Sequence, residues 1–545
     1  MDRACGMPLL VLAITAAGGL LRAWEIGQKG LWLDETFSVW LAAQPLGPML
    51  AWIAQIDQHP PLYYILLHFW ITVVGDGPAA VRLLSALLGT LTIPVIFFLG
   101  RRLLGSTAGL LAALILALSP FHVRFAQETR MYALLMFNAA VALLALVYLL
   151  KGSSAGRLKP PQPPQSLPAQ TPAADAGRLG DRCGDLGRRM WPAWLAYIVF
   201  TAATMLTHHT AILFPVAVNV FVLGFVLWSQ ESGVRGQAAP TTQYALRNTH
   251  SAFLRPWLRA QLGVLLLWSP WLAAFVAQAA GVDRQFWIAR PTFGTVIETL
   301  KTFLSALLPQ LGNWADLIWV GYGGLILLGI VRLRTRPALL ALLVALFCTP
   351  IAGEWLVSLR RPIFDDRTLI WATIPLYLLL AAGIAGLRRR PAILAAVGLV
   401  AAVNAVSLHN YYAHFEKEEW GPAASYVAAR VEDEDLLLFN ATWVQIPFDY
   451  YFHRYDLPVA KHGAPVDLFD RGVLEPKMTE ADLPRLRGLI ADKRRVWLIY
   501  SHDWYTDPAG LIPAALAREF ALLEVRRFVG VEVRLYGVPS ESVVG

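Results

Sequence analysis

Apolar runs long enough to cross a lipid bilayer recur along this chain, and no other feature restricts its fold so tightly. A membrane-crossing helix needs about 20 predominantly apolar residues. Such runs lie near 7–24, 77–100, 104–121, 131–150, 191–207, 210–229, 259–279, 316–332, 337–357, 367–387 and 390–408. Within hydrocarbon each backbone N–H and C=O must be satisfied by the segment itself, so every run predicts a helix. Composition agrees: 56% of the 545 residues are hydrophobic and 15% are charged, against about 25% charged in soluble domains. The mean hydropathy is +0.50. The fold class read from these features is an α-helical polytopic membrane protein with about 11 transmembrane helices.

Charge sets the expected orientation. With the N-terminus in the cytoplasm, the inside loops hold Arg101 and Arg102, then Lys151, Arg157, Lys159, Arg178, Arg182, Arg188 and Arg189. Arg235, Arg247, Arg255 and Arg259 follow, then Arg332, Arg334 and Arg336, and finally Arg388, Arg389 and Arg390. Every inside loop is then basic, as the positive-inside rule requires. The net charge of +8 is accounted for in this way, so nucleic acid is not an expected partner. The first run has no small-residue cleavage site before Leu31-Trp32-Leu33-Asp34 and reads as a retained helix rather than a signal peptide. The expected localisation is the cytoplasmic membrane, crossed many times, with the C-terminal region outside.

One apolar stretch breaks this parity. It begins at His59-Pro60-Pro61-Leu62-Tyr63-Tyr64 and ends at Gly75-Asp76-Gly77, about 14 residues in all, too few to span. Residues 33–75 are therefore expected outside, as interfacial or re-entrant helices. Irregular backbone at that depth packs against protein or lines a cavity. Residues 152–190, with Pro160-Pro161-Gln162-Pro163-Pro164, and residues 230–258 read as cytoplasmic linkers. The transmembrane domain is thus assigned to 1–409. From 410 charge returns in Glu416-Lys417-Glu418-Glu419, and strand-like runs follow at 436–439, 496–500 and 528–536. With helical patterns at 419–430 and 479–493, residues 410–545 form a small mixed α/β extracytoplasmic domain.

Ionisable groups close to lipid are costly and mark candidate sites. Asp34-Glu35 lies within Trp32-Leu33-Asp34-Glu35-Thr36-Phe37; carboxylates flanked by Trp and Leu are partly desolvated, which strengthens them as bases. They could equally complement a helix dipole. His59 can hold a phosphate or cap a turn. In Gln127-Glu128-Thr129-Arg130-Met131-Tyr132, Arg130 suits a phosphate and Glu128 a substrate hydroxyl, unless the two simply pair. His208-His209 forms an outer turn; two histidines without a third ligand are a weak metal signal. Asp365-Asp366-Arg367 opens the tenth run, with Arg360 and Arg361 before it, and an arginine there suits a bidentate grip on a phosphate diester. All five groups fall outside. The spans themselves are nearly free of charge, with Arg22 and Arg82 near their ends. Cys5, Cys183 and Cys348 are too far apart to suggest a disulfide framework or a zinc site.

Taken in order, Trp32-Leu33-Asp34-Glu35, His59-Pro60-Pro61-Leu62-Tyr63-Tyr64, Ala80-Val81-Arg82-Leu83, Gly100-Arg101-Arg102-Leu103, Ser119-Pro120-Phe121-His122 and Gln127-Glu128-Thr129-Arg130-Met131-Tyr132 form a recognisable set. Together they resemble the GT-C superfamily of polyprenyl-phosphate-sugar-dependent glycosyltransferases, the group related to bacterial protein O-mannosyltransferases and aminoarabinose transferases. The resemblance covers roughly residues 1–410. It implies transfer of a sugar from a polyprenyl-phosphate donor to an acceptor hydroxyl at the outer membrane face, with inversion. It makes Asp34 the general base, and Arg130 and Arg367 the groups on the donor phosphate. Glu35, His59, Tyr63, Gln127, Glu128, His209 and Asp366 are the further substrate-binding candidates. The residue after Arg367 is Thr368, where the family usually carries an aromatic. No cofactor is required, because a phosphate-linked prenol leaves readily when cations support it. The acceptor is left open among a glycan, a lipid and a protein hydroxyl. Two other readings are a flippase for lipid-linked sugars and a membrane-anchored binding protein. The first calls for midplane charges or broken helices in matching halves, and the second needs far fewer spans.

Overall fold

The computed structural model of the protein describes residues 3–55, 59–155, 190–235, 240–281, 288–312, 314–468, 470 and 476–538. The chain divides into two compact units. One comprises Met1–Arg22, Ala86–Ala126 and Met131–Tyr411; the other comprises Ala23–Ser85, Gln127–Arg130 and Tyr412–Gly545.

The first unit is helical. Each of the eleven apolar runs contains helix. Eight are long and apolar enough to cross a membrane: Gly6–Ala23, Pro78–Leu104, Tyr132–Lys151, His209–Leu227, Leu254–Ala279, Ala315–Leu333, Pro337–Ser358 and Arg390–His414. A ninth is a broken pair, Ser106–Leu118 and Pro120–Ala126, bent by 58°. The last two, Met190–Met205 and Ile370–Gly386, are shorter. The multi-pass helical class therefore holds. Among the described residues, however, the helices meeting the length test number eight, or nine with the bent pair, not eleven.

The bend has a clear cause. Ser119 is extended (ψ 117°), and Pro120 has no N–H to continue the helical ladder. The carbonyls freed near the break go to a buried arginine. Arg22 donates to Leu116 O at 3.1 Å, Ala117 O at 3.2 Å and Gly18 O at 2.9 Å. Arg22 is thus a structural donor rather than a stray charge near lipid.

Residues 230–258 depart from the sequence expectation. Helices cover Leu213–Arg235 and Pro240–Trp268, so the segment is not a linker throughout; 236–239 and most of 152–190 lie outside the described residues. Pro240 stands at the first helical position, where its missing N–H costs nothing. From there the polar stretch is continuous with the apolar part of the helix, which offsets the cost of nucleation.

Small residues set the closest helix contact. On helices Trp314–Leu333 and Thr373–Gly386, a Cβ added at Gly383 would land on the Leu325 carbonyl oxygen. One added at Gly329 would land on that of Leu379. Backbones approach this closely only without side chains, the usual device of membrane helix pairs.

The second unit has two parts. Its first-loop part carries three short helices: Leu33–Ala42, Leu46–Gln55 and Leu62–Val74, of 10, 10 and 13 residues. At 1.5 Å per residue the longest reaches about 20 Å, short of the roughly 30 Å hydrocarbon layer. Its C-terminal part holds a five-stranded mixed sheet, β1 (Leu436–Asn440), β2 (Ala460–Ala464), β3 (Arg495–Tyr500), β4 (Ala521–Phe528) and β5 (Val531–Gly537), in the order β2-β1-β3-β5-β4. β1 pairs in parallel with β2 and β3; β5 pairs antiparallel with β3 and β4. The strands expected at 436–439, 496–500 and in the late hairpin are present. Side chains alternate between two cores: Leu437, Phe439, Trp497 and Ile499 on one face, Leu436, Leu438, Val496 and Leu498 on the other. Leu33 belongs to the first of these cores, so the helix bearing Asp34 begins inside the packing of the C-terminal sheet.

Substituting Gly383→Val should overpack the backbone contact and cost about 1–3 kcal/mol, read as a lowered melting temperature of the detergent-solubilised protein. Gly398→Val, at a position with open space around it, should leave the melting temperature near that of the unchanged protein.

Candidate active site

The site is best built outward from Arg82. Its guanidinium is buried, and all five of its N–H groups are used. Nε donates to Glu35 Oε1 at 2.7 Å; Nη1 donates to Ile26 O at 2.9 Å and Lys29 O at 2.7 Å; Nη2 donates to Gly30 O at 2.8 Å and Glu35 Oε2 at 2.6 Å. Arg82 thereby winds the segment before Asp34 around one cation.

Glu35, wholly buried, receives two further donors: the Thr129 backbone N–H on Oε1 at 2.8 Å and Lys417 Nζ on Oε2 at 2.9 Å. This corrects the expectation for the carboxylate pair. Burial does push the Glu35 carboxyl upward, but Arg82 and Lys417 outweigh it and hold it down to about 2. Glu35 is a fixed anion rather than a base. With its oxygens turned to these four donors, it acts as an anchor and not as a substrate ligand. Burial pushes the Lys417 ammonium downward, against the opposing pull of Glu35. Lys417 was only part of a charge run in the sequence; its position three residues before the buried Trp420 was the available signal.

Asp34 has the opposite environment. It lies in the first turn of the Leu33–Ala42 helix, where the dipole favours an anion, and its side chain is 28% exposed. Arg130 Nε stands 3.8 Å from Asp34 Oδ2. Its Nη1 donates to Asp34 O at 3.3 Å and Ser38 Oγ at 3.2 Å, and its Nη2 lies 3.4 Å from His59 Nε2. Ser38 Oγ donates to Asp34 O at 2.8 Å. The structure thus joins Asp34, His59 and Arg130 around one guanidinium. Tyr63 is tied in at one remove: its hydroxyl meets Ser85 Oγ at 3.2 Å, and Ser85 donates to Arg130 O at 3.3 Å. Gln127 Nε2 donates to Trp24 O at 2.6 Å, and Glu128 is buried beside it.

The remaining expected residues lie in the first unit. Arg367 falls in the turn before the Ile370–Ala372 3-10 helix rather than in the helix itself. Its Nε pairs with Asp365 Oδ2 at 2.9 Å, and its guanidinium sits 5.8 Å from the Tyr132 ring centroid. Burial, then the neighbouring Asp365, pushes the Asp366 carboxyl up to about 7 against the opposing pull of Arg124 and Arg367. The unusual Thr368 has a partner that explains it: its hydroxyl reaches Glu354 at 2.9 and 2.8 Å. Glu354, buried near the end of the Pro337–Ser358 helix, is an intramembrane acid that the charge survey missed. His209 Nε2 contacts Gln278 Oε1 at 2.7 Å, and His208 caps the turn by accepting from Thr210 N. Among the described residues, no group of three or more His, Cys, Asp or Glu side chains is placed to hold a metal ion.

Two substitutions separate these roles. Glu35→Gln leaves Arg82 and Lys417 buried against a neutral amide, and should cost about 3–5 kcal/mol; a melt of the purified protein measures this. Asp34→Asn should shift the same melt by no more than about 0.5 kcal/mol. Because the folded Glu35 carboxyl is depressed, the folded state binds fewer protons than the unfolded state between about 4.5 and 2. Its contribution is therefore complete above that window and is lost as pH falls through it.

Comparison with known proteins bears on this geometry. A family model described as dolichyl-phosphate-mannose-protein mannosyltransferase matches residues 58–158. No curated protein sequence matches the chain. Among solved structures, ArnT from Cupriavidus metallidurans in the apo state is similar, with a TM-score of 0.57, 14% identity and 98% of each chain covered. The same protein bound to undecaprenyl phosphate gives 0.56, 15% and 99% of each chain. An oligosaccharyltransferase from Archaeoglobus fulgidus, tethered to an acceptor peptide, gives 0.53 and 9%, covering 98% of this chain and 74% of that one. The chain thus shares the fold of ArnT and of this oligosaccharyltransferase, a multi-pass membrane architecture with a small C-terminal mixed sheet.

Proposed function

We propose that the protein is an inverting membrane glycosyltransferase that moves a hexosyl or pentosyl unit from a polyprenyl-phosphate donor to an acceptor hydroxyl. The observation that carries this reading is the contrast at Asp34-Glu35: one carboxylate is locked by three cationic or backbone groups, and the next is partly exposed on a rigid helix turn with Arg130 beside it. The match to a mannosyltransferase family over 58–158 and the likeness to a protein crystallised with undecaprenyl phosphate support the donor class.

In this mechanism Asp34 accepts the proton of the acceptor hydroxyl as its oxygen attacks the anomeric carbon. The bond from that carbon to the donor phosphate breaks on the opposite face, and polyprenyl phosphate departs with the electron pair. Arg130 neutralises charge on the phosphate, and Arg367 is a second candidate for that role. His59, Tyr63, Gln127 and Glu128 support the binding surface near Arg130; Asp366, next to Arg367, and His209 are further candidates. Glu35 enters indirectly, by holding the helix that carries the base. The basic loops favour a reaction on the outer face of the cytoplasmic membrane. A flippase is the second reading; among the described residues its demand for paired broken helices has no counterpart beyond the bend at Ser119.

Asp34→Asn should reduce transfer by about 10²–10⁴-fold, the usual share of a general base, while undecaprenyl phosphate binding is retained. In a deletion strain, mass spectrometry should reveal accumulated lipid-linked sugar and a shortened surface glycan, restored by the unchanged protein but not by the Asp34→Asn variant. Near-normal turnover in that variant would overturn the assignment of the base. A second expectation concerns pH. Asp366 ionises as pH rises through about 7, adding an anion beside Arg367. Affinity for an anionic lipid phosphate should therefore fall across that range, and Asp366→Asn should flatten the titration.

A further inference from the structure

The C-terminal sheet carries a cavity of about 380 Å³ that the reaction above does not use. Its volume lies in the roughly 300–1,000 Å³ range of small-molecule sites. Trp504, Phe528, His502, Glu418, Glu532 and Arg534 contribute to its walls. Three carboxylates, Glu418, Asp503 and Glu532, face two arginines and His502, so the wall carries no surplus of positive charge. Arg534 and a further wall residue, Arg527, both pair through Nε with Glu532, and His502 Nε2 lies 3.3 Å from Glu418 Oε1. A wall of this composition offers a phosphate no net attraction. What it offers is aromatic surface, with Trp504 61% exposed, set among fixed donors and acceptors. A sugar ring matches that surface: its C–H face stacks on an aromatic, and each hydroxyl both donates and accepts.

The floor of the cavity is constrained. His502 has φ 53°, a left-handed conformation that a residue with a large side chain adopts at a cost and that clusters at functional sites. Its ring packs 5.2 Å from that of Trp443, and its Nδ1 meets Ser501 Oγ at 2.9 Å. The turn between β4 and β5 closes over Glu418 at Gly530, where φ is +74° and a Cβ would stand 2.8 Å from Glu418 Cγ. Glu418 in turn reaches out of the cavity. Its Oε2 accepts from Trp420 Nε1 at 2.7 Å and from Leu33 N at 3.0 Å. Leu33 immediately precedes Asp34, so one carboxylate joins the cavity wall to the start of the helix that carries the base.

We propose that this cavity is a subsite for a neutral glycan acceptor, with a sugar ring stacked on Trp504 and its hydroxyls held by the Glu532–Arg534 pair. The inference rests on the glycosyltransferase reading and deepens it, since it makes the acceptor a saccharide rather than a peptide. Occupancy of the cavity is linked through Glu418 to the helix end beside Asp34, which makes Glu418 a positioning residue.

Saturation-transfer NMR on the full-length protein in nanodiscs tests this. Methyl α-D-mannopyranoside and maltotriose serve as neutral probes, glucose 1-phosphate as an anionic probe, and a serine-containing tripeptide as a peptide probe. The neutral sugars should give signals that fall at least fivefold in Trp504→Ala and return in Trp504→Phe, with the melting temperature of both variants close to that of the unchanged protein. Absence of any neutral-sugar signal, equal signals in Trp504→Ala, or preference for the phosphorylated sugar or the peptide overturns the proposal. The Asp34→Asn transfer assay keeps the two readings apart. Transfer lost in that variant, with sugar binding indifferent to Trp504, rejects only the subsite. Transfer retained in Asp34→Asn rejects the base assignment and leaves the binding result intact.

Discussion

The ion cluster of Glu35 with Arg82 and Lys417 governs the geometry of the second unit. Burying three charges is expensive, and the cost is offset only when each is paired and its remaining hydrogen-bonding groups are satisfied. The cluster comes close to that limit. Arg82 spends every N–H, and Glu35 receives four donors. The residues involved come from the first loop, the start of the Pro78–Leu104 helix, the 127–130 segment and the chain just before the C-terminal sheet. Four distant stretches of sequence are thereby held to one point.

Several weaker ties follow the same path. Lys29 Nζ donates to the carbonyls of Tyr412 and Phe415 at 3.1 and 2.8 Å, the Tyr451 hydroxyl accepts from Leu31 N at 2.6 Å, and the Tyr450 hydroxyl donates to Asp76 O at 2.7 Å. With Leu33 packed in a core of the sheet, the first loop and the C-terminal domain behave as one folded body. The sequence division at 409/410 follows composition, whereas the packing division cuts across it, because a loop can be apolar enough to pass for membrane sequence and still fold against a water-soluble sheet.

What could be read in advance follows from which interactions are local. Apolar runs of about 20 residues specify helices without reference to the rest of the chain, so every run contains helix. β1 and β3 were legible for the same reason, being short continuous runs of Leu, Val, Ile, Phe and Trp. β2, Ala460-Lys461-His462-Gly463-Ala464, has no such signature and is a strand only because β1 supplies the pairing. The break at Ser119 was partly written in Pro120, but its completion by Arg22, nearly a hundred residues earlier, was not. Asp34, His59 and Arg130 were legible as polar groups out of place. Lys417 was not, because a lysine in a charged run looks solvated until its carboxylate partner is known. Glu354 escaped for the converse reason: one acid does not spoil the hydropathy of a 22-residue helix.

The Asp-Glu pair shows why adjacency in sequence is poor guidance to role. Consecutive residues on an α-helix are separated by about 100° around its axis. If Glu35 points into the unit, Asp34 must point well away from it. The cluster that buries Glu35 therefore also determines where Asp34 faces, and a helix of only 10 residues would be too marginal alone to hold that direction. A base must lie within hydrogen-bond reach of the proton it removes, and misplacement by about 1 Å is costly. In the proposed mechanism the anchor and the base are neighbours on the same turn, and a longer lever would pass more of the loop's fluctuation to the carboxylate. Conserving charge at both positions while separating their environments is thus one mechanical solution rather than two independent acidic residues.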